Sequence, residues 1–396
     1  MSGWLASIDG WLRTHERQLI ELRRQIHAHP ELGIDVPHTT DLIERRLLEA
    51  GLSPQRFRGG NGLAVDIGQG PRIVGLRADI DALPLQELTN LPFASRIDGR
   101  SHACGHDMHA AFAMGAALAL AQAPELPGRV RVIFQPAEET LGGAHMVIAN
   151  GILDGLERVF ALHCEPQVKV GQAGTRLGAI TAACDLVEIH LSGPGGHTAR
   201  PHLSVDLVDA LARIVTTVPG LTSRSVDPRD GLSVVFGAIE AGSAPNAIPS
   251  EGVLRGTVRT LTRAGWTAAE DAVRRLVDEV AALTRASVKI DYRRGVPPVD
   301  NDVTSFSLLR TAMAGVVGDD SVYMPEQSMG GEDFGWYADY APVGMGRIGV
   351  YPGSGPMSDL HQGTFVADER AILIGARVLA HTAIGSLTSP TSLPTG

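Results

Sequence analysis

Eight consecutive positions, His102-Ala103-Cys104-Gly105-His106-Asp107-Met108-His109, hold one thiol, three imidazoles and a carboxylate. Further on come the adjacent acids Glu138 and Glu139, then His163, then His361. Thiolate, neutral imidazole and carboxylate are the donors that suit zinc-like ions, and manganese takes the oxygen and nitrogen ones. In an extended segment the Cys104-x-His106 spacing turns both side chains to one side, with Gly105 free to adopt an unusual turn. His102 and His109 read as supporting groups that orient ligands. The two glutamates divide the labour: one binds a cation, and the other takes a proton from the attacking water and returns it to the leaving amine. Five donor residues and one free carboxylate are enough for two neighbouring ions about 3.5–4 Å apart. Each residue alone also fits a plainer role, as a solvated acidic loop, a packed histidine or a buried cysteine. Their joint occurrence is what points to a metal-dependent hydrolase.

These residues must be brought together by the fold. Ile73-Val74-Gly75-Leu76, Val130 to Phe134 and Val159-Phe160-Ala161-Leu162 are short apolar runs bounded by polar or turn residues, and an Ala-rich stretch from Ala110 to Ala123 reads as a buried helix between two of them. Two amphipathic helices precede them, one ended by Pro30 and one over Thr40 to Ala50. The alternation predicts an α/β domain with a mostly parallel central sheet. Ligands of such sheets sit at the carboxyl ends of strands, which is where Asp79, Glu138, Glu139 and His163 fall. From Ala182 the pattern becomes β-α-β-β-α-β, the ferredoxin-like unit, with strands over Leu186–Leu191, Leu232–Ile239, Val253–Val258 and Val288–Tyr292 and helices over Ser204–Val218 and Thr267–Ala286. The expected division is 1–181 and 296–396 for the catalytic domain and 182–295 for an inserted α+β domain, with Gly295-Val296-Pro297-Pro298 as the return linker. The tail from Ser386 is Ser/Thr/Pro-rich and is expected to fray.

The inserted region presents three more polar signals: His197 after Gly193-Pro194-Gly195-Gly196, Asn246 in Ala244-Pro245-Asn246-Ala247-Ile248-Pro249, and Arg259 just after a strand. Ordinary loop chemistry accounts for each. Together they also fit a substrate clamp, with His197 and Asn246 on an oxyanion and Arg259 on a carboxylate.

The bulk properties narrow the class. The chain has 396 residues, 44% apolar and 20% charged, with a net charge of −10. No basic cluster stands out for nucleic acid, and no run reads as a signal peptide or a bilayer span. Three cysteines are too few for a disulfide framework, so a reducing, cytoplasmic setting is expected.

With these motifs on the page, the chain resembles the amidohydrolase branch of the aminoacylase/carboxypeptidase superfamily of metallopeptidases, which includes hippurate hydrolase, auxin–amino acid amidohydrolases and N-acetyl-diaminopimelate deacetylase. The resemblance is carried by His27-Ala28-His29-Pro30-Glu31-Leu32, Leu76 to Pro84, His102 to His109, Gln135 to Glu139, Gly195-Gly196-His197, Gly256 to Thr260 and Met329 to Phe334. It implies a dinuclear-metal exopeptidase-like catalytic domain with an inserted lid and dimerisation domain. It implies Cys104, His106, Glu139, His163 and His361 as ligands of two divalent ions, manganese or zinc with nickel or cobalt also used, and Cys104 as the shared ligand. Glu138 would be the general base and acid. His197, Asn246 and Arg259 would contact substrate, His197 from a partner subunit. Three departures stand out: Cys164 after His163, Gln362-Gly363 after His361, and Leu207 where the branch has proline.

The expected reaction is hydrolysis of an N-acyl amino acid or short peptide by a homodimer or higher homo-oligomer, without nucleic acid or membrane. A dipeptidase or carboxypeptidase on the same scaffold, a thiol hydrolase using Cys104, and a non-catalytic metal-dependent binding protein are the alternatives.

Overall fold

The computed structural model describes residues 2–123 and 125–390. Its helices are α1 (Ser2–Ala28), α2 (Pro37–Glu49), α3 (His106–Ala121), α4 (Gly143–Ala149), α5 (Leu207–Ser225), α6 (Arg263–Ala282), α7 (Val303–Val317) and α8 (Ala371–Thr388). The strands that matter here are β1 (Leu63–Gly68), β2 (Ile73–Asp79), β3 (Arg129–Gln135), β4 (Arg158–Lys169), β5 (Ala173–Gly174), β6 (Ala183–Ser192), β7 (Ser233–Ala241), β8 (Glu251–Thr260), β9 (Ser287–Val296), β10 (Val322–Tyr323) and β11 (Val343–Tyr351). The chain divides into two compact units. One comprises residues 1–180, 301–326 and 336–396; the other comprises 181–300 together with 327–335. The second unit thus takes in a short later segment, Gln327–Gly335, beyond the single insertion that the sequence pattern delimits.

In the first unit the sheet runs, after a two-residue edge strand at Gln55–Arg56, in the order β1-β3-β2-β4-β11-β5-β10. The centre is parallel, β3 with β2, β2 with β4, and β4 with β11. The antiparallel pairs lie outside it, at β1 with β3 and at β11 with β5. The mostly parallel α/β sheet is therefore the fold of this unit. Every residue of β2 is buried, as a strand covered on both faces requires.

Helix α3 connects β2 to the adjacent β3. Small side chains on nearly every turn bury it all round, which is why no polar face shows in its sequence. A Cβ on Gly115 would stand 2.8 Å from Ala376 and 2.9 Å from Leu19, and one on Gly375 would stand 2.5 Å from the Phe112 ring. Helices α1, α3 and α8 pack at this short range. Helix α8 is long and apolar enough to cross a bilayer by composition, but most of it is buried in this core. It also runs to Thr388 with Ser386 buried, so the fraying expected from Ser386 does not begin there; residues 391–396 of that tail lie outside the described residues.

The second unit has the sheet order β7-β8-β6-β9, antiparallel throughout, with α5 and α6 against it. Numbered within the unit this is 2-3-1-4, the ferredoxin-like arrangement. Two expectations shift. Strand β9 extends through Gly295 and Val296, so these are sheet residues and not linker, with an irregularity after Arg293 where the register slips. Arg259 lies inside β8, paired with Cys184.

A buried ion pair ties the first helix to the third. The Arg23 Nε donates to Asp107 Oδ2 at 2.6 Å, with both side chains at most 1% exposed, and His27 Nδ1 lies 2.7 Å from the same oxygen. Removing one partner of a buried pair strands the other charge. Arg23→Met is expected to cost about 3 kcal/mol in urea unfolding, and Arg23→Met combined with Asp107→Leu less than that. A loss for the single change no larger than that of an exposed pair, about 1 kcal/mol or less, would show that His27 alone satisfies Asp107.

Candidate metal centre

The end of β2, the β3–α4 turn, β4 and the N-terminus of α3 all deliver donors to one place in the first unit. Cys104 does not sit in an extended segment, as its spacing to His106 suggested. Gly105 at φ 84° turns the chain directly into α3, with His106 as the first helical residue. The glycine is required twice over, by its left-handed backbone and by Cys164, whose Sγ would lie 2.9 Å from an added Cβ. Cys164, the departure after His163, is thus buried packing against the turn, with its thiol pushed up in pKa by burial.

Cys104, His106 and His163 place one donor atom each within 4.8 Å of one another, and so do Cys104, Glu139 and His361. The two triads share the Cys104 sulfur. His163 Nε2 is 3.5 Å from that sulfur, and His361 Nε2 is 3.5 Å from Glu139 Oε1. His106 Nε2 stands 3.8 Å from both Glu138 Oε2 and Glu139 Oε1. The structure therefore brings together all five expected ligands and Glu138. His106 Nε2 and Glu139 Oε1 are buried without a hydrogen-bond partner. Orphaned buried donors of mixed S, N and O type are what a cation would satisfy, so the residues present fit a metal pair.

Supporting groups orient these donors. Asp79 Oδ1 lies 2.6 Å from His109 Nδ1, and His109 Nε2 accepts from the Cys164 backbone N–H at 2.8 Å, which fixes the His109 tautomer. His163 Nδ1 lies 2.8 Å from the Cys164 carbonyl, which points Nε2 at Cys104. Asp81 is the residue that sequence reasoning passed over. Its carboxylate accepts from the backbone N–H of Glu138 at 3.0 Å and of Glu139 at 3.2 Å, and lies 3.5 Å from His106 Nδ1. One buried side chain thus holds three site residues. Its only sequence signal was its place at a strand end beside Asp79. His102 is buried with neither ring nitrogen partnered, and burial holds its pKa down, to about 3. It shapes the site as a neutral ring.

Backbone strain collects at the same spot. Ala137, before Glu138, has φ 62°, and His361 has φ 58°. For residues with a Cβ such angles persist where surrounding contacts enforce them. Here the Ala137 N–H bonds Gly33 O at 3.0 Å, and the His361 N–H bonds Ala103 O at 2.9 Å, next to Cys104. His361 is the open side of the cluster, its side chain 54% exposed.

Burial sets the protonation of the cluster. It pushes the Cys104 thiol well above its usual range, against the pull of His106 and with Glu139 and Glu138 adding to the rise. Burial opposes charge on His106, yet Asp79 and Cys104 hold its pKa well above normal. His163 is driven well below normal, first by burial and then by Arg347. Glu139 is raised by burial.

The expected substrate contacts lie in the second unit. A two-residue ribbon, Gly196–His197 with Ala247–Ile248, sets His197 beside Asn246, whose carbonyl accepts from Thr198 N–H at 3.2 Å; both residues are exposed. Arg259, half-buried, donates to the Met329 carbonyl.

Comparison with known proteins places this geometry. A model of peptidase family M20/M25/M40 matches residues 75–384. The chain is 37% identical over 372 residues to the N-acetylcysteine deacetylase of Bacillus subtilis (strain 168), covering 93% of this chain and 96% of that protein. It is 45% identical over 366 residues to a Rhodococcus jostii (strain RHA1) protein provisionally named glutamate–cysteine ligase 2-3; the match covers 92% of this chain but only 46% of that longer protein, so the chain spans about half the length of that relative. Among solved structures, the Bacillus subtilis YXEP protein, described as a dinuclear metal-binding peptidase from the M20 family, superposes with a TM-score of 0.83 at 33% identity, covering 95% of this chain and 99% of that one. The chain therefore belongs to peptidase family M20/M25/M40.

Proposed function

We propose that the protein is a metal-dependent amidohydrolase that cleaves N-acyl amino acids to a carboxylic acid and a free amino acid. The observation that carries this reading is the pair of donor triads sharing Cys104, with Glu138 beside them. Cys104, His106, Glu139, His163 and His361 would hold two divalent ions, manganese or zinc. When bound, such ions activate water and polarise a carbonyl.

The remaining work falls to the chain. Glu138 lies at the rim of the cluster, only 7% exposed, and its Oε2 is 3.8 Å from His106 Nε2. From there it takes the proton of the attacking water and delivers it to the amine as the C–N bond breaks. Asp81 holds the backbone of Glu138 and Glu139 through their N–H groups. His197 and Asn246 would stabilise the oxyanion and Arg259 the substrate carboxylate, with the second unit as lid and dimerisation domain. Edge strand β7 exposes Val235 and Ile239, an unpaired edge suited to a second copy. A reducing cytoplasm suits the three free cysteines.

A thiol hydrolase is disfavoured on physical grounds. Burial keeps Cys104 protonated, and a nucleophilic cysteine needs a lowered pKa. A pure binding protein leaves Glu138 without a task.

On N-acetyl amino acids, Glu138→Gln is expected to lower kcat by about 10³-fold while elemental analysis shows the metal retained. Retained turnover would remove Glu138 from the base role. Chelation should abolish hydrolysis, and zinc or manganese should restore it. Metal uptake must also displace protons from His106 and Cys104, both held protonated in the metal-free protein. Metal affinity is therefore expected to rise between about pH 6 and about pH 8, with proton release visible in titration calorimetry. A flat affinity over that range would contradict the assignment of these two residues as ligands.

A further inference from the structure

One row of residues crosses four strands of the first unit's sheet. His163 on β4 pairs with Arg347 on β11, Arg347 pairs with Gly174 on β5, and Gly174 pairs with Tyr323 on β10. Directly paired residues project to the same face of a sheet, so His163, Arg347 and Tyr323 share one face. Gly174 leaves a gap in the row. A Cβ there would stand 2.7 Å from Tyr323 Cε1 and 2.8 Å from its Cζ, so the ring leans across the glycine in the direction of Arg347.

Two polar groups of this row have no protein partner. Arg347 is 7% exposed, and among the described residues its guanidinium has neither a hydrogen bond nor an ion pair. Glu165, on the same face two residues beyond His163, makes no ion pair with it. The Tyr323 hydroxyl is buried without a partner. A largely buried guanidinium without a protein partner, beside a free hydroxyl, presents a planar fork of N–H donors complementary to a carboxylate. The row begins at His163, one of the donors of the cluster, so an anion on Arg347 would be adjacent to the reacting amide.

We infer that Arg347 and Tyr323 form a receptor for a second carboxylate on the substrate, so that the preferred substrates are N-acyl amino acids bearing an additional acid group. This rests on the amidohydrolase reading above. The acid can belong to the acyl half, as in an N-succinyl amino acid, or to the amino acid, as in an N-acyl glutamate. Arg347 supplies the charge and two parallel donors, and Tyr323 supplies a third, neutral donor.

The test uses the full-length, zinc-loaded enzyme with N-succinyl-alanine, N-acetyl-glutamate and N-acetyl-alanine. The wild type is expected to favour one of the two diacids over N-acetyl-alanine at least tenfold in kcat/KM, mainly through KM, and the favoured diacid identifies the half that carries the acid. Arg347→Met should shrink that ratio by about tenfold to a hundredfold, since a charge-assisted pair is lost. Tyr323→Phe should shrink it by about threefold. A ratio unchanged in Arg347→Met overturns the inference. Thermal melts give a readout independent of turnover. Glutarate should raise the Tm of the wild type and not of Arg347→Met, and Arg347→Met without ligand should melt no lower than the wild type. A lower Tm for that variant, or no glutarate shift in the wild type, would make Arg347 a structural residue and overturn the inference. If the wild type hydrolyses none of the three substrates, the amidohydrolase reading fails, while the glutarate melts still decide the carboxylate receptor.

Discussion

The constraint on which the first unit depends is the burial of opposite charges at one end of a parallel sheet. Asp79, Asp81, His102, His106, His109 and His163 are each at most 7% exposed. In a medium that poorly solvates ions, such groups persist only when hydrogen-bonded, neutral or matched. His102 becomes neutral, and His109 is locked between Asp79 and a backbone amide. Asp79 is held ionised against burial by His106, His109 and Arg77. After these pairings His106 Nε2 and Glu139 Oε1 are still without a hydrogen-bond partner, beside the Cys104 thiol. Those are the groups that a cation would satisfy.

The local backbone follows from the same demand. Five donors from distant parts of the chain can converge only if the connecting turns are tight. Gly105 starts a helix immediately after Cys104, and Ala137 and His361 accept left-handed angles beside Glu138 and at the edge of the cluster. The cost of each falls on contacts that are themselves well formed, a backbone bond from Ala137 to Gly33 and one from His361 to Ala103. Arg23 and His27 on Asp107 then anchor the helix that begins with His106, so the first residues of the chain are coupled to the geometry of the site.

Much of this was legible beforehand, and the reasons differ by feature. Apolar runs ending in Asp79 and before Glu138 revealed parallel strands because both faces of those strands are covered. The β-α-β-β-α-β order was readable because its strands alternate and its helices are amphipathic. Element ends were less so. Strand β9 continues through Gly295, whose place in a sheet depends on pairing partners far along the chain, and Arg259 sits within β8 for the same reason. Asp81 was missed because its role is exercised on backbone amides, which carry no residue code. Arg347 was missed because nothing local marks it: only the pairing of β4 with β11 puts a guanidinium next to His163.

That last case shows where specificity enters this scaffold. The residues proposed to hold ions and move protons come from several elements: Cys104, Glu138, Glu139 and His361 from turns and loops, His106 from the start of α3, and His163 from within β4. Arg347 lies in the body of an otherwise apolar and glycine-rich strand, Val343-Gly344-Met345-Gly346-Arg347-Ile348-Gly349, whose neighbours give its charge no partner. A charged position without a partner, one strand away from the donor cluster, is therefore better understood through what it binds than through what it packs against, and the gap left by Gly174 for the Tyr323 ring belongs to the same arrangement.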